Sequence, residues 1–244
     1  MGPRPAHIQK FTSASAPPDT RIYAVGDIHG RADLLNEITE RIDDDLRRRP
    51  VRYAQEIYLG DYIDRGPDSK GVIDQLAVRM VRQHAICLRG NHETFLENFF
   101  YEPTVIDHWI QLGALHTLAS YGIGYSQFKT SPYDLQQALL HAFPRTHELF
   151  LRCLRNSFTC GDFLFVHAGI RPGISIEDQQ TEDLFWIREE FLSSKLNHGK
   201  VVVHGHTPIE HVEILQNRIN IDTGAWRTGV LTCIAIEGDR IVIL

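Results

Sequence analysis

The chain has 244 residues and a mass of 27.9 kDa, with 43% apolar and 23% charged residues, proportions ordinary for one globular domain. A formal net charge of -6 argues against a general nucleic-acid binder, which carries a basic face. No apolar run approaches the roughly 20 residues that cross a bilayer.

Met1 to Thr20 is rich in Pro, Ala, Ser and Thr and lacks the apolar core of a signal peptide. It reads as a flexible tail, with residues 21–244 forming a single domain. Cys87, Cys153, Cys160 and Cys233 are scattered without a CxxC pair. They read as reduced, structural cysteines of a cytoplasmic protein, and a thiolate zinc site is not expected.

From Arg21 the pattern repeats strand, motif, helix. The apolar run Ile22 to Val25 precedes Gly-Asp-Ile-His-Gly at 26–30. Leu34, Leu35, Ile38, Ile42 and Leu46 then recur at helical spacing over Ala32 to Arg49, which Pro50 ends. Ile57 to Leu59 is a second strand, closed by Gly-Asp-Tyr-Ile-Asp-Arg-Gly at 60–66 and followed by a helix over about Ser69 to Gln83. Ala85 to Leu88 is a third strand, closed by Arg-Gly-Asn-His-Glu at 89–93. The alternation predicts an α/β domain with a parallel first half, and in such sheets ligands gather outside the carboxyl ends of the strands.

Residues from about 94 to 155 break the alternation with aromatics and leucines at helical spacing, punctuated by Pro103, Pro132 and Pro144. They predict a helical insert of three or four helices beside or over the site. Ser157 to Thr159 and Phe163 to Val166 flank a Gly-containing turn and predict a hairpin. A helix is expected at Glu182 to Leu192, containing Phe185-Trp186-Ile187-Arg188-Glu189, and a strand at Val201 to Val203 before His204-Gly205-His206-Thr207. Short strands follow at about 211–215, 218–221, 230–237 and 240–244. This half is expected to be mainly antiparallel, so two packed mixed sheets with helices outside are predicted.

Five strand-like runs thus end in glycine beside residues suited to metal or phosphate. The available ligands are Asp27, His29, Asp61, Asn91, His167 and His206. Carboxylate, amide and imidazole without sulfur suit manganese, iron or zinc. Six ligands exceed what one open catalytic ion needs. Two ions sharing a carboxylate, roughly 3.5–4 Å apart, account for them better. Arg65 and Arg89 flank these motifs and could fork onto phosphate oxygens. Spacing leaves His204 and His206 as alternatives, since both share a face of an extended chain. Glu93 reads as a first-turn or supporting acid, Asp222 as a turn-former, and Trp109 and Trp186 as core. His84, His108, His116, His141, His147, His198 and His211 read as surface or partly packed histidines.

In order and spacing, these segments resemble the phosphoprotein phosphatase family of calcineurin-like metallophosphoesterases, especially its compact bacterial and phage members. The Trp-Ile-Arg-Glu, His-Gly-His-Thr and Asn220-to-Ala225 segments add to the likeness, which spans Arg21 to about Gly238 and weakens across the insert. The resemblance implies a four-layer α/β/β/α fold and two divalent metal ions, manganese first. Asp27 and His29 would hold one ion, Asp61 would bridge, and Asn91, His167 and His206 would hold the other. His92 would be the general acid with Asp64 orienting it, and Arg65, Arg89 and Arg188 would bind phosphate. The implied reaction is in-line attack by a dimetal-bound hydroxide on a phosphorylated protein or peptide, as in serine/threonine phosphatases, with phosphotyrosine open as well.

Dinucleoside tetraphosphate hydrolases are the alternative. The continuation Gly66-Pro67-Asp68-Ser69 leans toward them, whereas Asp64 leans away, because they typically carry a small residue there. A silent metal-binding module that recognises phosphoproteins is a different class, and no expected ligand is missing to support it. The acidic charge disfavours a nucleic-acid phosphodiesterase.

Overall fold

Alternation along the strands sorts the core into layers. In the first strand pair, Ile22, Ala24, Ile57 and Leu59 point one way and meet Phe163, Phe165, Val201, Val203, Ile219 and Ile221 of a second sheet. Tyr23, Val25 and Tyr58 point the other way, onto helices. Two sheets therefore share an apolar interior, and each needs a helical cover on its outer side.

The computed structural model describes residues 8–10, 14–124 and 130–244. Sheet one comprises β1 (Ile8–Lys10), β2 (Thr20–Val25), β3 (Tyr53–Tyr58), β4 (Ile86–Cys87), β10 (Cys233–Glu237) and β11 (Arg240–Ile243), in the order β1-β11-β10-β2-β3-β4. β2, β3 and β4 are parallel, joined through α1 (Ala32–Arg48) and α2 (Ser69–Arg82). Sheet two comprises β5 (Ser157–Cys160), β6 (Phe163–Val166), β7 (Val201–His204), β8 (Glu213–Ile214) and β9 (Arg218–Asn220), in the order β5-β6-β7-β9-β8. Between the sheets in sequence lie α3 (Asn91–Phe99), α4 (Ile106–Leu112), α5 (Ala114–Ser120), α6 (Pro132–Ala142) and α7 (Arg145–Cys153). They pack with α1 and α2 on the outer side of sheet one. On the outer side of sheet two, α8 (Thr181–Trp186) and α9 (Glu189–Leu192) bury Leu184, Ile187 and Phe191 against Leu164, Val166 and Val202. A short α10 (Ala225–Thr228) precedes β10.

The α/β class with two mixed sheets and flanking helices is as expected. Three details differ. The second sheet is not mainly antiparallel, because β6, β7 and β9 run parallel; the α8–α9 crossover between β6 and β7 returns the chain to the same end, as parallel pairing requires. The helix expected over Glu182 to Leu192 breaks at Arg188, which has φ -130 and ψ -97. Leu184, Ile187 and Phe191 are buried, and a continuous helix would place Arg188 in that same stripe; the break leaves its guanidinium exposed. Finally, the expected tail is ordered well before residue 20: β1 pairs with β11, and Ala14 and Ala16 are buried in the inter-sheet core. Residues 1–7 and 11–13 of that tail lie outside the described ones. Among the described residues, no helix is long and apolar enough to cross a membrane.

Candidate active site

The motifs converge where the parallel strands end. Asp27 and His29 follow β2, Asp61, Asp64 and Arg65 follow β3, and Asn91 and His92 open α3 after β4. From the second sheet, His167 follows β6 and His206 follows β7. Among the described residues, seven non-glycine residues have positive φ, and five are here: His29 (45°), Asp61 (52°), Asp64 (70°), Arg65 (66°) and His206 (63°). The chain leaves each strand by a left-handed turn that costs energy for a residue with a Cβ. Gly90 and Gly205 let these turns crowd together, since a Cβ on either would lie 2.1 and 2.0 Å from Oδ1 of Asp61 and Asp27 respectively.

Asp61 stands at the centre. Its Oδ2 is 3.5 Å from His29 Nε2, and its Oδ1 is 3.4 Å from His167 Nε2 and accepts the His92 backbone N–H at 3.1 Å. On the His167 side, Asn91 Oδ1 lies 3.0 Å from His167 Nε2 and 2.9 Å from His206 Nδ1. The other ring nitrogen of His167 is fixed by the Leu59 carbonyl at 2.9 Å, and Nδ1 of His29 by the Ile63 carbonyl at 2.8 Å. Each ring thus turns its Nε2 toward Asp61. His206 adopts φ +63 instead of continuing β7, so His204 and His206 do not share a face. His206 joins the cluster, while His204 is buried against Phe191.

Electrostatics mark the centre as a place for cations. Asp27, Asp61 and Asp222 are all buried. Burial, then the charges of Asp222 and Asp61, raise the Asp27 pKa well above the ordinary carboxylate range. Asp222 is pushed up to about 6, mainly by burial, although it accepts the Gly224 N–H. Burial also works against ionised Asp61, but the surrounding imidazoles of His167, His92, His29 and His206 hold it well below the usual value. The His29, His167 and His206 rings are all lowered, chiefly by burial, which leaves them neutral, the form that ligates metal. Among the described residues, two sets of donor atoms lie within 4.8 Å of one another, Asp61 with His167 and His206, and His29 with Asp61 and His92. Divalent ions fit this donor set, with Asp61 reaching both sides. Asp27 is less directly placed, since its carboxylate accepts the His206 backbone N–H at 3.0 Å. Arg65 Nη1 also lies 3.0 Å from His29 Nε2, and an ion on that nitrogen requires the guanidinium to turn aside.

His92 and Asp64 form a buried pair, Nδ1 to Oδ2 at 2.6 Å. Burial disfavours the imidazolium, yet Asp61 and Asp64 outweigh it and raise the His92 pKa. The carboxylate of Asp64 also accepts Trp109 Nε1 at 2.8 Å and Thr117 Oγ1 at 2.6 Å, from α4 and α5. Neither donor was among the expected site residues: an indole within a helical apolar stripe carries no sign that its N–H meets a carboxylate. Glu93 supports the loops, accepting the N–H groups of Asp61, Tyr62 and Gly90 at 2.9, 2.8 and 2.9 Å.

The arginines divide. Arg65 Nη2 lies 3.1 Å from His92 Nε2, and its guanidinium also stacks over the half-exposed Trp226 ring at 5.4 Å. Arg188 is exposed, and after burial its charge is one of the influences that lower the pKa of His167 and His206. Arg89 is turned to Glu97, the Leu151 carbonyl and Asn156, none of which belongs to the cluster; a phosphate-binding Arg89 requires that these contacts be broken. Asp222 was read as a turn-former. It forms that turn, and its burial beside Asp27 is the feature its sequence context hides.

The calcineurin-like phosphoesterase family matches residues 20–226. The chain belongs to that family and is a hydrolytic metallophosphoesterase, a class built on divalent dimetal centres. A bis(5'-nucleosyl)-tetraphosphatase PrpE [asymmetrical] of Oceanobacillus iheyensis is 28% identical over 225 residues, covering 84% of each chain. A crystal structure provisionally assigned as a diadenosine tetraphosphatase superposes with a TM-score of 0.64 at 18% identity, over 94% of this chain and 97% of that one. A cold-active protein-tyrosine phosphatase of a psychrophilic Shewanella superposes with a TM-score of 0.59 at 15% identity, over 93% and 80%. These last two likenesses concern the fold alone.

Proposed function

We propose that the chain hydrolyses dinucleoside tetraphosphates. The observation that carries this reading is the likeness, along 84% of both chains, to a relative named for asymmetrical cleavage of that substrate. That likeness favours the dinucleoside tetraphosphate over the phosphoprotein expected from the motifs. Two features of the chain agree with the tetraphosphate. Gly66-Pro67-Asp68-Ser69 continues the central motif in the manner of such hydrolases. Trp226, half-exposed beside Arg65, offers an aromatic face next to a phosphate-binding guanidinium, which suits a nucleobase.

In this reading Asp27, His29 and Asp61 would hold one divalent ion, and Asp61, Asn91, His167 and His206 would hold the second, with manganese the first metal to try. When bound, the ions supply Lewis-acid polarisation of the phosphoryl group and an activated water. Arg65 and Arg188 bind the polyphosphate oxygens. His92 Nε2 delivers a proton to the leaving oxygen while Asp64 keeps Nδ1 protonated.

One observation favours a second reading. A nucleoside triphosphate departs as a stabilised anion and needs little help from an acid, whereas a serine alkoxide needs a full proton. The buried His92–Asp64 pair is built for the second case, so an alkyl phosphomonoester is the competing substrate. Turnover with manganese on diadenosine tetraphosphate and on a phosphoserine peptide decides between them. The first reading expects faster hydrolysis of the dinucleotide, yielding equal nucleoside triphosphate and monophosphate. Preference for the peptide overturns it.

A further inference from the structure

Asp64 is completely buried, and both oxygens of its carboxylate accept hydrogen bonds. Oδ2 accepts His92 Nδ1 and Trp109 Nε1, and Oδ1 accepts Thr117 Oγ1. The Thr117 hydroxyl has one proton, which goes to Asp64, so its 2.9 Å contact with Ser69 Oγ must be donated by the serine. Ser69 and Thr117 in turn accept the Asp64 backbone N–H, at 3.0 and 2.9 Å. That backbone has φ +70, a conformation an aspartate keeps only when its surroundings hold it. One residue is thus clamped at both main chain and side chain by α2, α4 and α5. The insert supplies two of the three side-chain donors to its carboxylate, Trp109 and Thr117. Gly113, between α4 and α5, also accepts the Arg65 N–H at 3.4 Å, so the same corner of the insert reaches the next residue along.

We propose that Trp109 and Thr117 are positioning residues of the hydrolytic reaction: they fix the plane of the Asp64 carboxylate so that the His92 ring, whose Nε2 accepts from Arg65 Nη2 in this structure, presents a protonated Nε2 to the leaving oxygen once that guanidinium turns to the phosphate. The helical insert is then part of the proton-delivery apparatus. In the step concerned, the bond from phosphorus to the leaving oxygen breaks, that oxygen takes its electron pair and the Nε2 proton of His92, and the Nδ1 proton stays on the imidazole, bonded to Asp64. Removing either donor lets the carboxylate rotate, and the Nε2–H vector goes with it. The loss therefore scales with how much the leaving group needs a proton.

The inference rests on His92 acting as the acid, and the experiment separates the two. Kinetics of full-length, manganese-loaded protein are measured on p-nitrophenyl phosphate, whose leaving group needs little protonation, and on a phosphoserine peptide, whose leaving group needs a full proton. In Trp109→Phe, which keeps the ring packed on Phe99, and in Thr117→Val, kcat on the peptide is expected to fall about tenfold. KM and kcat on p-nitrophenyl phosphate stay within about twofold, since no proton is required there. Thr117→Ser restores the hydroxyl and the peptide rate. His92→Asn shows the same selectivity more strongly. If both substrates slow equally in Trp109→Phe and Thr117→Val, the residues support only the fold and the proposal fails. If neither slows, it fails too. If His92→Asn itself shows no leaving-group dependence, His92 is not the acid, and the proposal falls with that assignment.

Discussion

A single imidazole separates binding from chemistry at this centre. His92 follows Asn91 directly, yet its Nδ1 is held by Asp64, whereas the Asn91 side chain faces His167 and His206. Replacing His92 by Asn is expected to lower turnover of a phosphoserine peptide by 10²- to 10⁴-fold, the usual contribution of a general acid, with metal content by mass spectrometry unchanged. A parallel loss of metal and activity would make His92 a ligand instead. At this scale the sequence was most informative about residues that carry unusual chemistry between glycines, because turns and ligands constrain each other locally. It was silent on Trp109 and Thr117, whose role depends on a long-range approach of α4 and α5 to Asp64. Arg89 shows the converse: its motif position suggested phosphate, but α3 and α7 bring Glu97 and the Leu151 carbonyl within reach of the guanidinium.

Elements with a repeating apolar stripe were legible, as α1 and α2 show. Those whose ends are set by tertiary pairing were not. β3 begins at Tyr53, earlier than its apolar run, because Glu56 is buried yet satisfied by Arg79 at 2.6 Å and by the Tyr58 hydroxyl at 2.8 Å. α7 carries a similar surprise. His147, read as surface or partly packed, is fully buried, bonded to the Tyr121 hydroxyl at 2.8 Å and to Asp74 at 2.9 Å. Burial outweighs the attraction of Asp74 and lowers its pKa below the 6.5 of a free imidazole. The unfolded chain therefore takes up a proton that the folded ring resists. The stabilisation is present above 6.5 and is lost as the pH falls toward the folded value. Melting temperature is expected to drop between pH 7.5 and pH 5.5, and to drop less in His147→Gln. An identical fall in that variant would assign the acid sensitivity to other groups.

Across the whole molecule, the two sheets bring together candidate ligands more than 170 residues apart in sequence, as the contact of Asp27 with the His206 N–H shows. Sheet one supplies Asp27, His29, Asp61 and Asn91, and sheet two supplies His167 and His206, so the centre spans the seam between them. Chelating the metal is expected to abolish hydrolysis and also to lower the melting temperature, since ions bound only by the folded state stabilise it in proportion to their occupancy. Activity restored by manganese, with the melting temperature returning in step, would support this; loss of activity with no change in melting temperature would place the metal outside the seam.

The five left-handed residues at the strand ends carry a thermodynamic consequence. Each costs on the order of 1–3 kcal/mol to hold in the folded chain, a sizeable share of a domain's stability. A protein selected only for robustness would place glycine or asparagine there. Retaining His29, Asp61, Asp64, Arg65 and His206 in these conformations means that this fold trades resistance to unfolding for reactivity. Laboratory selection for heat tolerance without selection for turnover should therefore accumulate changes at these strand ends first.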